Sequence, residues 1–209
     1  QRAGKRYDVV TLALTSPYRS IRSGAYSLAE DYRYTVEAFE AYLSLLQPDG
    51  VFVASRWLQT PPSESLRTLG LALTAIEAMG GDAASQIVAF RGYAMITFLI
   101  KRTAFTGAEL AAIREFAAER AFDLVYAPDI RDDEVNRYNV LSSPVYYEAF
   151  VDLLDAPDSA HRDAWYAAYT FDVRPPTDNH PFFGHFFKWS QVRQIVAELG
   201  KTAQPFGGA

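Results

Sequence analysis

The chain contains no cysteine, two methionines and three histidines among its 209 residues. Without cysteine it can form no disulfide, thiolate metal site or cysteine nucleophile, and the composition fits a cytosolic protein. Uncharged apolar runs are short as well. The longest candidate, residues 87–100, is interrupted by Arg91 and Gly92, well below the ~20 residues a membrane helix needs. No block of lysine or arginine stands out, and the net charge is -5, so nothing electrostatic recommends nucleic acid as a partner. There is no Gly-x-Ser-x-Gly elbow for Ser/His/Asp hydrolysis and no phosphate loop. Internal repeats are missing. So is the glycine-rich turn with which open α/β sheets hold a nucleotide after their first strand.

What remains is an ordinary globular composition, 49% hydrophobic and 22% charged. The length suffices for one domain, or for one domain with an appendage. The start, Gln1-Arg2-Ala3-Gly4-Lys5-Arg6, is polar and has no initiator methionine. It reads as a boundary inside a longer protein rather than a signal peptide.

Strand and helix alternate from there. Residues 7–14 predict a strand, 15–24 a turn-rich loop and 28–46 a long amphipathic helix. Its apolar stripe is Leu28, Tyr32, Val36, Phe39, Leu43 and Leu46. Pro48-Asp49-Gly50 predicts a turn and 51–57 a buried strand. Thr60-Pro61-Pro62 opens a second helix, which buries Leu66, Leu69, Leu73 and Ile76 and stops at Gly80-Gly81. Two β-rich runs, 86–90 and 93–101, flank Arg91-Gly92 too closely to pair other than as an antiparallel hairpin. Thr106-Gly107-Ala108-Glu109 is a capping box for a third helix burying Leu110, Ile113 and Phe116/Ala117. Leu124-Val125-Tyr126 should be extended. Beyond Pro128 come a polar loop, aromatic-rich helices at 144–154 and 160–169, an irregular segment at 171–189, a helix at 192–199 and a frayed end. The predicted class is α/β, a sheet of about four strands with helices on both faces, followed by an aromatic C-terminal appendage.

The order strand, helix, strand, helix, antiparallel hairpin resembles the second half of a class I S-adenosylmethionine-dependent methyltransferase. More narrowly, four stretches resemble the spermidine/spermine synthase-like branch, as found in soluble domains of multi-span bacterial membrane proteins. They are Tyr7-Asp8-Val9-Val10, Tyr26-Ser27-Leu28-Ala29-Glu30-Asp31-Tyr32, Tyr34-Thr35-Val36-Glu37-Ala38-Phe39 and Leu46-Gln47-Pro48-Asp49-Gly50. Pro176-Thr177-Asp178-Asn179-His180-Pro181-Phe182-Phe183 is similar to the closing motif of those domains. The resemblance implies a truncated Rossmann-like sheet over residues 1–127 with residues 128–209 packed on it. It implies S-adenosylmethionine or its decarboxylated form as cofactor of an intact domain, with Leu14, Thr15, Ser16 and Pro17 beside it. It further implies that the N-terminal half of the same domain pairs along the 7–14 strand, an edge that a homodimer could cover instead.

The departures bear on activity. Polyamine synthases carry an Asp-Ser-x-Asp-Pro loop whose first aspartate deprotonates the attacking amine. Here the loop reads Ala13-Leu14-Thr15-Ser16-Pro17, and neither Ala13 nor Ser16 can take a proton from an ammonium near neutral pH. The expectation is therefore a fragment without catalysis of its own, its cofactor motif lying outside the chain. The other reading is a degenerate interaction or regulatory domain of a membrane protein.

Single residues carry two readings each. Arg56-Trp57, closing the second strand on the ligand side, offers an anion clamp in a substrate pocket or an ordinary ion pair. Glu30-Asp31 suits a helix start better than acid–base chemistry, since neighbouring helical side chains diverge. Asp178, His180 and His185 lack metal-ligand spacing, and Asp132-Asp133-Glu134 lacks the alternation and glycine of a calcium loop.

Overall fold

The computed structural model describes residues 4–14 and 29–188. It is an α/β fold, with five strands in one mixed sheet of order β1-β2-β4-β3-β5 and six helices. β1 is Tyr7–Leu12 and β2 is Leu46–Trp57, paired in parallel through α1, Val36–Ser44. β3, Ile87–Arg91, and β4, Met95–Lys101, form the expected antiparallel hairpin. β4 also pairs antiparallel with β2. The expected extended piece is a true strand, β5 (Asp123–Tyr126), paired antiparallel with β3, so the sheet has five strands rather than about four.

The first helix is shorter than its periodicity suggests. Thr35 caps it, its hydroxyl accepting from the Ala38 amide, which fixes the first turn at Val36. Tyr32 stands 55% exposed ahead of the helix, and Leu46 has already entered β2. Leu28 lies outside the described residues. Between Tyr7↔Leu46 and Val9↔Val51 the register jumps, so Gln47-Pro48-Asp49-Gly50 bulges out of the ladder. A Cβ on Gly50 would sit 2.8 Å from the Tyr7 carbonyl oxygen and 3.1 Å from that of Asp8. The predicted turn survives as a bulge that only glycine fits.

α2 (Glu64–Ala78) starts after Ser63 rather than at the prolines and buries Leu66, Leu69, Leu73 and Ile76. α3 (Ala83–Gln86) is one turn. α4 (Gly107–Glu119) carries the capping box read from the sequence. α5 (Val145–Leu154) and α6 (Ser159–Ala168) follow. α1, α2 and α5 cover one face of the sheet, where Phe39, Phe52, Phe98 and Phe150 are fully buried. Each such ring contributes roughly 2 kcal/mol over exposure. An exposed pair such as Arg131–Asp133 contributes at most about 1 kcal/mol, so the rings decide the packing. α4 lies on the opposite face, setting its Leu110 and Ile113 against Val88 and Leu99 of the sheet.

The irregular segment lies across α1 and α2, burying Phe171, Val173, Phe183 and Phe186 in the main core. Arg67 of α2 anchors it, its guanidinium donating to the carbonyls of Asp172, Phe182, Phe183 and His185. Burial lowers the Arg67 pKa to about 10, because desolvation disfavours the charged form. Among the described residues no helix is long and apolar enough to cross a membrane.

Candidate functional site

β2 and β3 both run antiparallel to β4, so the carboxyl ends of β1, β2 and β3 lie at one end of the sheet. Open α/β sheets bind ligands at that end. One rung there reads Arg56↔Ile96↔Arg91↔Asp123 across β2, β4, β3 and β5. Residues directly opposite share a face, which places two arginines, 5% and 4% exposed, under the helical layer.

Arg56 is engaged internally. Nε and Nη2 both donate to Glu64 Oε2, and Nη1 donates to the Tyr34 hydroxyl at 2.5 Å. Its guanidinium lies 4.6 Å from the Tyr34 ring centroid and 4.8 Å from that of Phe183. Gln59 donates to the other Glu64 oxygen at 3.4 Å. Burial raises the Tyr34 phenol above its ordinary range, against the opposing pull of Arg56 and Arg33. Of the two readings of Arg56, the structure shows the ion pair, with Glu64, the first residue of α2, as its partner. Trp57 alternates to the opposite face and is half-buried. Leu14, half-buried just past β1, is the described member of the expected cofactor loop; Thr15, Ser16 and Pro17 lie outside the described residues.

Arg91 and its surroundings were not legible as a site. Nη2 donates to Asn136 Oδ1 at 3.0 Å and to the Asn139 carbonyl at 2.6 Å. Asp123 Oδ2 lies 3.4 Å from Nη2. The Asp123 carboxylate accepts the backbone N–H groups of Arg137, Tyr138 and Asn139 at 2.6–2.8 Å. Burial alone would raise the Asp123 pKa, but those amides, the Asn139 side chain and Arg91 outweigh it and hold the group below its ordinary value. Asn136, at φ 56, folds the loop back on itself by bonding both the N–H and the carbonyl of Leu141. Tyr146 joins the two clusters, its ring 6.0 Å from the Arg91 guanidinium and its hydroxyl donating to the Gln59 carbonyl at 2.7 Å. A sequence signal existed in the paired asparagines of Asn136-Arg137-Tyr138-Asn139, since asparagine favours tight, left-handed loops.

The remaining candidates have structural employment. Glu30 and Asp31 precede α1 instead of starting it. Asp31 pairs with Arg33 at 2.8 Å, and its amide donates to the Pro181 carbonyl. Asp178 accepts from Thr35 Oγ1 at 2.7 Å, which ties the irregular segment to the α1 cap. His185 lends its carbonyl to Arg67, and His180 Nδ1 lies 3.0 Å from the Asn179 carbonyl. Glu134 sits in a 3-10 turn and pairs with Arg114 at 2.5 Å. Among the described residues no cluster of three potential metal ligands forms.

Chemically, this end of the sheet offers positive charge held in place. Glu64 and Asp123, the acidic partners of these arginines, each accept several hydrogen bonds. No protein-family model, curated protein or solved structure matches the chain.

Proposed function

We propose that this chain is a non-catalytic α/β module of spermidine synthase-like type that acts by completing a sheet through β1. The observation carrying this reading is the edge position of β1. Among the described residues it pairs with β2 alone, and its Tyr7 and Val9 stand 40% and 55% exposed. An apolar strand with unpaired backbone groups is a template for another strand. The N-terminal half of a methyltransferase-like domain fits there, and a second copy of the chain is the alternative occupant. Two features support the absence of chemistry. Ala13 and Ser16 occupy the carboxylate positions of the polyamine synthases, and Arg56 is spent on Glu64. In this reading S-adenosylmethionine or its decarboxylated form belongs to the completed domain, near Leu14, Thr15, Ser16 and Pro17.

Titration calorimetry with both cofactor forms, alongside hydrogen exchange of the β1 amides, tests the proposal. The isolated chain should give no saturable heat. The outward-facing β1 amides should exchange fast in dilute solution and slow when a partner strand or second copy binds. Saturable cofactor binding by these residues alone, or β1 amides protected in a monomer, would overturn it.

A further inference from the structure

The two faces of the sheet are covered unevenly. Phe52, Ala54 and Phe98 are fully buried in the main core, on the side of α1, α2 and α5. On the other side α4 packs its Leu110 and Ile113 on Val88 and Leu99, and β2 and β1 lie beyond β4 in the strand order. Burial along β2 alternates accordingly: Phe52 and Ala54 are buried, while Val51 and Val53 are half-buried. Val9 stands opposite Val51 and Thr11 opposite Val53, and both are exposed. Among the described residues, Val9, Val51 and Val53 belong to neither apolar cluster. Parallel strands are ordinarily buried on both faces, so the β1–β2 pair lacks half its cover.

We propose that this face is a self-association surface, on which a second copy of the chain packs face to face about a two-fold axis. Polarity favours a copy. Val9, Thr11, Val51 and Val53 are uncharged, and Ser55 and Thr97, opposite each other on β2 and β4, hydrogen-bond one another at 3.0 Å. Lys101, opposite Val51 at the border, is held by Glu109 at 2.5 Å. Packing two such faces together therefore strands no polar group. Charge points the same way. Each chain carries a net charge of -5, which opposes association, and a neutral face lets two copies meet without bringing carboxylates together. Area suffices as well. The strip spans three strands over residues 51–57 of β2, roughly 23 Å by 14 Å. Two of them in contact remove on the order of 1,000 Å² from water, near the least that a specific association needs, so the dimer is weak and reversible. It does not depend on the proposed use of the β1 edge, because a strand added there lies in the plane of the sheet and leaves this face as it was.

Sedimentation equilibrium of the chain between micromolar and millimolar concentration should show a reversible monomer–dimer exchange. Val53→Lys sets a cation in the middle of the face in both copies and should weaken the dimer at least tenfold. Thr11→Glu is the second variant, because an exposed position on β1 accepts a carboxylate without loss of the fold. It should weaken the dimer likewise while the circular dichroism stays unchanged. A soluble paramagnetic probe should broaden the Val51 and Val53 methyl resonances in dilute protein and lose access to them as the dimer forms. A monomer throughout the concentration range would overturn the proposal. So would methyls already sheltered in the monomer, where residues of the same chain cover the face. Methyls still reached in the dimer would place the contact at the β1 edge or elsewhere, and a dimer left intact by folded Thr11→Glu and Val53→Lys would count equally against it.

Discussion

Arg67 shows how one side chain can decide where a whole segment lies. Its charge is matched by four carbonyl oxygens and, among the described residues, by no direct carboxylate, so its hold on residues 172–185 is dipolar and geometric. Lysine has the charge but not the planar fork that reaches several acceptors at once. Arg67→Lys should therefore destabilise the protein by about 2 kcal/mol and Arg67→Ala by roughly 3 kcal/mol, given the worth of hydrogen bonds to charged groups. Urea unfolding gives the magnitudes. Faster amide exchange at Phe183 and His185, with β3 and β4 unchanged, would show that the loss is local. A uniform loss of protection would contradict the anchor role. Gly50 is constrained by space instead. Gly50→Ala drives a methyl into backbone oxygens that cannot move without opening the β1–β2 ladder, and overpacking of this kind costs about 2 kcal/mol. A midpoint equal to wild type would mean the bulge relaxes freely.

At the scale of elements, the sequence spoke clearly wherever a signal was local. The box at Thr106 and Glu109 forms as read, each side chain bonding the other's backbone N–H, and the hairpin could pair in only one way. Thr106→Ala should cost about 1 kcal/mol. It should also loosen Glu109, which the same box holds against Lys101 at 2.5 Å, so a double-mutant cycle with Lys101→Met should show coupling between the two positions. Additive effects would mean the box and the ion pair act separately. Long-range signals were less legible. The stripe from Leu28 to Leu46 ran through Thr35 without revealing that the helix begins there, because capping depends on backbone conformation and not on periodicity. Arg56 pointed to an ion pair or an anion clamp, and choosing required Glu64, which α2 brings beneath it. The Arg91–Asp123 rung was hidden because β3 and β5 pair with a register shift, which spacing along the chain does not encode.

For the molecule as a whole, the tyrosines report whether the C-terminal elements and the sheet hold together as one unit. Tyr126 in β5 donates to the Ala84 carbonyl of α3, and Tyr169, just past α6, donates to the Pro62 carbonyl ahead of α2. Tyr166 of α6 is buried in the main core. Burial pushes Tyr126 and Tyr166 up to about 12, and raises Tyr169 as well. In the unfolded chain these phenols ionise near pH 10. Their contribution to stability is therefore complete below about pH 10 and is lost as the pH climbs through about 12. An alkaline titration followed by phenolate absorbance and circular dichroism should show two phases. Phenols in the first phase ionise with the helical signal intact, and Tyr126, Tyr166 and Tyr169 ionise only as that signal collapses. If instead the sheet and the C-terminal helices were loosely joined, Tyr166 and Tyr169 would titrate in the first phase. Such a result would separate residues beyond β5 from the fold that Arg67 and the buried phenylalanines otherwise bind into one core.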